Sequence, residues 1–178
     1  MNASFPAKPA ALGAATAVLA LLLLAGDAGA QGRTTMGPLA AGSPFAELEG
    51  RWSGAGTIDL ANGRHEPIRC RAAYDVLEAQ NKIQLNINCA SESYRFDLRA
   101  SATYEAAAIT GTWSESSRNA AGTLSGRVEG AGFQVVAKGQ TFAASLNLRT
   151  HGDRQSVTIR SQDEQAEVRG ATISLQRG

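Results

Sequence analysis

From Gly50 onward no window of the chain carries a sustained 3.6-residue apolar period, whereas short runs that alternate apolar and polar residues recur between Gly, Asn and Asp breaks. That pattern restricts this part of the chain to half-buried β-strands. The segment around Cys70 and Cys89 shows it best. If the two cysteines face each other across antiparallel strands, Ala72 meets Ile87, Tyr74 meets Leu85 and Val76 meets Ile83. The opposite face then pairs Arg71 with Asn88, Ala73 with Asn86 and Asp75 with Gln84. One face is apolar and the other polar, and a slip of one residue would mix them.

Three later turns are expected to repeat one device. Gly130-Ala131, Gly139-Gln140 and Gly152-Asp153 each place Gly first in a two-residue loop, the position of positive φ in a type II′ hairpin. The registers they impose pair Val128 with Phe133 and Gly126 with Val135; Ala137 with Phe142 and Val135 with Ala144; Leu148 with Val157 and Leu146 with Ile159. Further strands are expected over Trp52–Leu60, ending at Asn62-Gly63, over Tyr94–Ala100 and Tyr104–Trp113, and over Ala166–Leu175. The fold class is all-β: an antiparallel up-and-down meander of about 8–10 strands, which avoids exposed edges best by closing into a barrel. An open β-sandwich is the alternative.

The first thirty residues set the expected compartment. Lys8, the apolar stretch Ala10–Ala25 and the small residues Ala28-Gly29-Ala30 form the three parts of a secretory signal peptide over 1–30. The apolar stretch is shorter than the ~20 residues that span a bilayer, so no stable membrane span is expected after cleavage. Residues 31–44 are Gly-, Ala-, Pro- and Thr-rich and read as a flexible N-terminal arm, with one domain over 45–178. Ser43-Pro44, with Glu47 and Glu49 behind, is placed to start a single helical turn. The expected location is periplasmic or secreted, where two cysteines form a disulfide by default.

Chemistry-bearing motifs are sparse. The formal net charge of +1 implies no nucleic-acid partner. His65 and His151 flank turns, the acids Asp59, Asp75, Asp97, Glu105 and Glu129 fall on polar phases, and no nucleophile, metal-ligand or phosphate-loop motif is present. No catalytic residue, metal or cofactor is expected. The inward phase holds Ala72, Tyr74, Ala106, Ala108, Phe133, Val135, Phe142, Ala144 and Leu146, a mixture that either lines a ligand cavity or fills a narrow interior.

Gly50-Arg51-Trp52 resembles the G-x-W opening of lipocalins and their calycin relatives. The resemblance implies a barrel whose end is plugged by Trp52, with Arg169 or Arg177 packed over it. Gly111-Thr112-Trp113 is similar to a motif of avidin-type barrels, and Phe45-Ala46-Glu47-Leu48-Glu49-Gly50-Arg51-Trp52 resembles the start of small bacterial periplasmic barrels that inhibit secreted metalloproteases. The exported segment as a whole resembles uncharacterised β-proteins of Gram-negative bacteria. The expected function is an exported, non-enzymatic protein that binds a small apolar molecule inside the barrel. The alternative is a protein-interaction module, either a periplasmic protease inhibitor or an envelope structural protein, whose partner is another envelope or secreted protein.

Overall fold

The computed structural model describes residues 42–178; the expected signal peptide 1–30 and positions 31–41 of the expected arm lie outside them. A 3-10 turn over Ala46–Leu48 precedes ten strands: β1 Gly50–Leu60, β2 His65–Leu77, β3 Lys82–Ala90, β4 Arg95–Glu105, β5 Ala108–Glu115, β6 Ala120–Glu129, β7 Gly132–Gly139, β8 Ala143–His151, β9 Arg154–Ser161 and β10 Val168–Arg177. Each strand pairs antiparallel with the next, and β10 returns to β1, so the sheet closes into a barrel. The 3-10 turn follows Phe45, and Ser43 stands ahead of it, where its carbonyl accepts the Ala46 N–H at 3.0 Å and its hydroxyl oxygen the Phe45 N–H at 3.4 Å.

The registers explain why the chain closes this way. Cys70 and Cys89 are bridged, and the pairs Ala72↔Ile87, Tyr74↔Leu85 and Val76↔Ile83 form as the alternation requires. Following the pairs around the ring, from Trp52↔Arg177 on the closing seam to Leu146↔Ile159, one inward set is kept through all ten strands. Burial follows it: along β2 buried and exposed residues alternate from His65 to Ala72. Outward positions carry Arg69, Arg71, Asn88, Arg127 and Arg149, all exposed. An apolar inside and a polar outside is the reverse of a transmembrane barrel. No helix among the described residues is long and apolar enough to cross a membrane.

Two of the three glycine turns form as expected. Gly130 and Gly152 have φ of +60° and +57°, with Val128↔Phe133 and Leu148↔Val157 beside them. The third is corrected. Ala137 pairs with Ala144 and Val135 with Leu146, so the turn is Gln140-Thr141 and Phe142 stands at its edge. Gly139 does not have a positive φ. It is small for another reason: a Cβ there would lie 3.1 Å from Cζ2 of Trp113.

The strands expected over Tyr94–Ala100 and Tyr104–Trp113 divide elsewhere. β4 runs on to Glu105, which pairs with Ala108 across a two-residue turn made by Ala106 and Ala107. Both alanines have positive φ, +48° and +66°, the conformation of a type I′ turn. Because two residues are spent in the turn, the inward phase passes from Tyr104 to Ile109, Gly111 and Trp113, and Ala108 points out. A left-handed conformation costs a residue with a Cβ about 1–2 kcal/mol. Replacing Ala106-Ala107 by Asn-Gly is therefore expected to raise stability by about 1–2 kcal/mol, read as a higher melting temperature; a lower one would contradict the turn assignment.

Candidate functional site

Inward residues are buried along one side of the barrel and mixed, buried and half-buried, along the other. Inward apolar residues of β1, β2 and β10, including Ile58, Ile68, Cys70, Ala72, Ile173 and Leu175, are buried against one another. On β3, β4, β6, β7, β8 and β9, in contrast, Leu85, Ile87, Leu98, Leu124, Val128, Phe133, Val135, Leu146, Leu148 and Ile159 are only half-buried. They face the barrel lumen, where most of them pack against the core that also holds the buried Ile83, Cys89, Ala102, Ile109 and Val157.

One end of that lumen is plugged. Phe45 and Leu48 of the 3-10 turn are buried, and Phe45 stacks on Phe133 with ring centroids 5.5 Å apart. Trp52, 2% exposed, donates from Nε1 to the Leu48 carbonyl at 2.8 Å and meets Tyr74 edge to face. The Arg177 guanidinium lies 4.3 Å over the Trp52 ring and donates to the carbonyls of Glu49 and, at 2.7 Å, Glu47. It thus ties the last strand to the turn before the first. Below this layer, the Tyr74 hydroxyl donates to Gln155 Oε1 at 2.7 Å, and Gln155 Nε2 to Thr150 Oγ1 at 3.3 Å. Burial pushes the Tyr74 phenol well above its usual range, and the Gln155 bond offsets only part of this.

The opposite end, the mouth, is polar. Glu115 is buried, and its carboxylate accepts from the backbone N–H of Asp97, Ser117 and Arg118 and from the Ser117 hydroxyl, at 2.6–3.1 Å. Burial pushes this carboxyl up, but those bonds outweigh it and hold it below the ordinary carboxylate range. The Glu115 carboxylate therefore fixes the β5–β6 turn and with it Arg118, which stacks 4.6 Å over Phe96 and 5.9 Å over Tyr94. Glu66, also buried, accepts the Ser93 N–H at 2.7 Å. Hydrogen bonds from Ser91 and then Ser93 lower its pKa.

The expected site residues separate accordingly. Phe133, Val135 and Leu146 face inward and are half-buried, whereas Ala72 and Tyr74 are buried in the packed side and the plug. Ala144, at 1% exposure, has no free space beside it. Ala106 and Ala108 do not line the lumen: both are exposed, one in the turn and one on the outer face. Phe142, 40% exposed, stands at the rim of the mouth, where its ring packs edge to face with the inward Trp113, centroids 5.9 Å apart. Arg169 is at the mouth, where it donates to the Asp163 carbonyl, and Arg177 alone lies over Trp52. His65 pairs with Asp59 at 2.7 Å on the exposed β1–β2 hairpin. No motif marks the mouth cluster in the sequence, yet Glu66 and Glu115 share the phase of Ile68 and Trp113, and an acid on an apolar phase is the signal that distinguishes them.

Comparison with solved structures identifies the fold. The barrel is similar to Rv2717c from M. tuberculosis, with a TM-score of 0.61 and 11% identity over 75% of this chain and 94% of that one. It is also similar to an S-type phycobiliprotein lyase, CPES, from Guillardia theta, with a TM-score of 0.57 and 10% identity over 75% of this chain and 90% of that one. Both are ten-stranded, calycin-like barrels. No family model matches the sequence, and no curated protein does.

Proposed function

We propose that this protein is an exported, non-enzymatic carrier that holds a small apolar molecule in the lumen. The observation that carries the reading is the ring of half-buried apolar side chains inside a closed barrel, from Leu85 on β3 to Ile159 on β9. Apolar walls with a few polar groups at the ends are the usual make-up of a small-molecule site. The plug at Trp52 leaves the mouth as the way in. The Cys70–Cys89 bridge supports export, since such bonds persist in oxidising compartments. The likeness to a phycobiliprotein lyase supports the use of this fold around small molecules, without naming the ligand.

The reading is tested by uptake of an apolar fluorescent probe, together with extraction of the purified protein for lipid or pigment. Leu146 faces the lumen and is half-buried, so Leu146→Trp is expected to fill vacant space. Stability should then change by less than about 1 kcal/mol, while probe uptake falls at least about tenfold. In a filled interior the same change forces strain of about 1–3 kcal/mol. Absence of both uptake and extractable ligand in the parent protein would overturn the proposal.

A further inference from the structure

Resting on the reading of the lumen as a ligand site, we propose that Arg118 is its head-group clamp, a guanidinium at the mouth that binds a carboxylate carried at the end of an otherwise apolar ligand. Arg118 belongs to the turn between β5 and β6, and its guanidinium lies over the rings of Phe96 and Tyr94, 4.6 and 5.9 Å from their centroids. Those rings are themselves stacked, 6.3 Å apart and 12° from parallel, and give the flat cation a flat support. Phe96 faces Cys89 on the inward phase and packs against the core. The cation therefore stands where the apolar inner wall begins, above the half-buried Leu98 and Leu124.

The hydrogen bonds of the guanidinium leave one of its edges open. Nη1 donates to the Arg95 carbonyl at 3.0 Å and to Ser117 Oγ at 3.4 Å, whereas Nε and Nη2 have no acceptor among the described residues. Nε and Nη2 together form the edge of parallel donors that takes a carboxylate in a bidentate pair. Glu115 does not use that edge. It lies 3.9 Å from Nη1 and is already satisfied by the N–H groups of Asp97, Ser117 and Arg118 and by the Ser117 hydroxyl. Those bonds hold the turn in place and leave the Arg118 charge to a ligand. The side chain is 45% exposed, so a head group meets it from solvent while the apolar chain runs inward along Leu98, Leu124 and Leu146. A hydrocarbon without a head group gains nothing from such a cation, and an ammonium is repelled by it; the matching class is a long apolar carboxylic acid.

The test titrates the protein with a dansyl-labelled undecanoic acid and with its methyl ester, so that charge at the head group is the variable. The acid is expected to bind at least about tenfold more tightly, the effect of one charge-assisted pair at a partly exposed site. Arg118→Gln, at an exposed position where folding is not at stake, should bring the two affinities together. Arg64→Gln removes an exposed cation from the same end of the barrel and should leave the preference unchanged. Equal binding of acid and ester by the parent protein overturns the clamp and leaves the lumen reading intact. A preference that survives Arg118→Gln overturns the assignment to this residue. Binding of neither probe overturns the lumen reading and the clamp with it.

Discussion

Trp52→Ala is expected to lower stability by about 3–5 kcal/mol, the usual cost of deleting a buried tryptophan, and the melting temperature by roughly 10 °C or more for a domain of this size. The ring is the meeting point of three elements. Leu48 of the 3-10 turn accepts its N–H, Arg177 of β10 covers its face, and Tyr74 of β2 abuts its edge. Its loss therefore opens a cavity and also releases both chain segments that close this end. Trp52→Phe keeps an aromatic ring and forfeits the bond to Leu48, so it should cost less, about 1 kcal/mol for the bond plus the smaller ring. Equilibrium urea unfolding distinguishes the two. A loss below about 1 kcal/mol for the alanine variant would mean that the plug is peripheral to the fold.

A change of one methyl group is expected to be nearly as damaging at Gly54. This residue points inward on β1 opposite Leu175, and a Cβ placed there would lie 1.9 Å from the Ser174 carbonyl oxygen and 2.9 Å from the Leu175 Cα. Gly56 repeats the situation two residues on, with Thr172 O at 2.1 Å. These contacts are backbone, so no rotamer relieves them, and β1 and β10 form the seam on which closure depends. Gly54→Ala is expected to cost about 3 kcal/mol or more, at or beyond the top of the usual overpacking range, and Gly54→Ala with Gly56→Ala to leave little folded protein. Thermal melts followed by circular dichroism read both; a stabilised alanine variant would show that the close approach at the seam is not required.

Most of the fold was legible in the sequence because two independent signals coincided. At Cys70 and Cys89 the disulfide and the period-two pattern each specify the same register, and the bridge forms on it. Gly130 and Gly152 were legible because positive φ is the commonest reason for a glycine in a two-residue turn. The same rule misplaced the turn at Gly139, whose missing side chain makes room for Trp113 from the neighbouring part of the wall. A glycine that yields space to a distant residue looks identical, locally, to one that bends the backbone. The Ala106-Ala107 turn left no trace at all, since alanine has no preference for positive φ and tertiary pairing alone holds it there.

Of the inward set expected from the sequence, Ala106 and Ala108 fall outside it because the Ala106-Ala107 turn resets the phase. Small inward side chains suggested space, yet Ala144 is sealed and a Cβ at Gly122 would come within 2.8 Å of the Trp113 ring nitrogen. Partial exposure falls instead on inward leucines and valines such as Leu124, Val135 and Leu146. How far facing strands stand apart is set by ten strands closing together, and no short window of sequence contains it.

Because β10 pairs with β1 in the same antiparallel way as every other pair of neighbours, the barrel is a ring in which chain order and spatial order coincide and no strand is first. Gly50 and Arg177 belong to adjoining strands at the plugged end, so the two natural ends of the barrel are already neighbours. Circular permutation follows from this: joining those ends by a short linker and cutting the exposed Gly130-Ala131 turn would give a chain that begins on β7 and ends on β6, yet keeps every strand beside the partners it has now. What the linear chain contributes uniquely is the Phe45–Leu48 turn and its clasp by Arg177, which makes the plug, rather than any strand, the one part of the molecule that knows where the barrel begins.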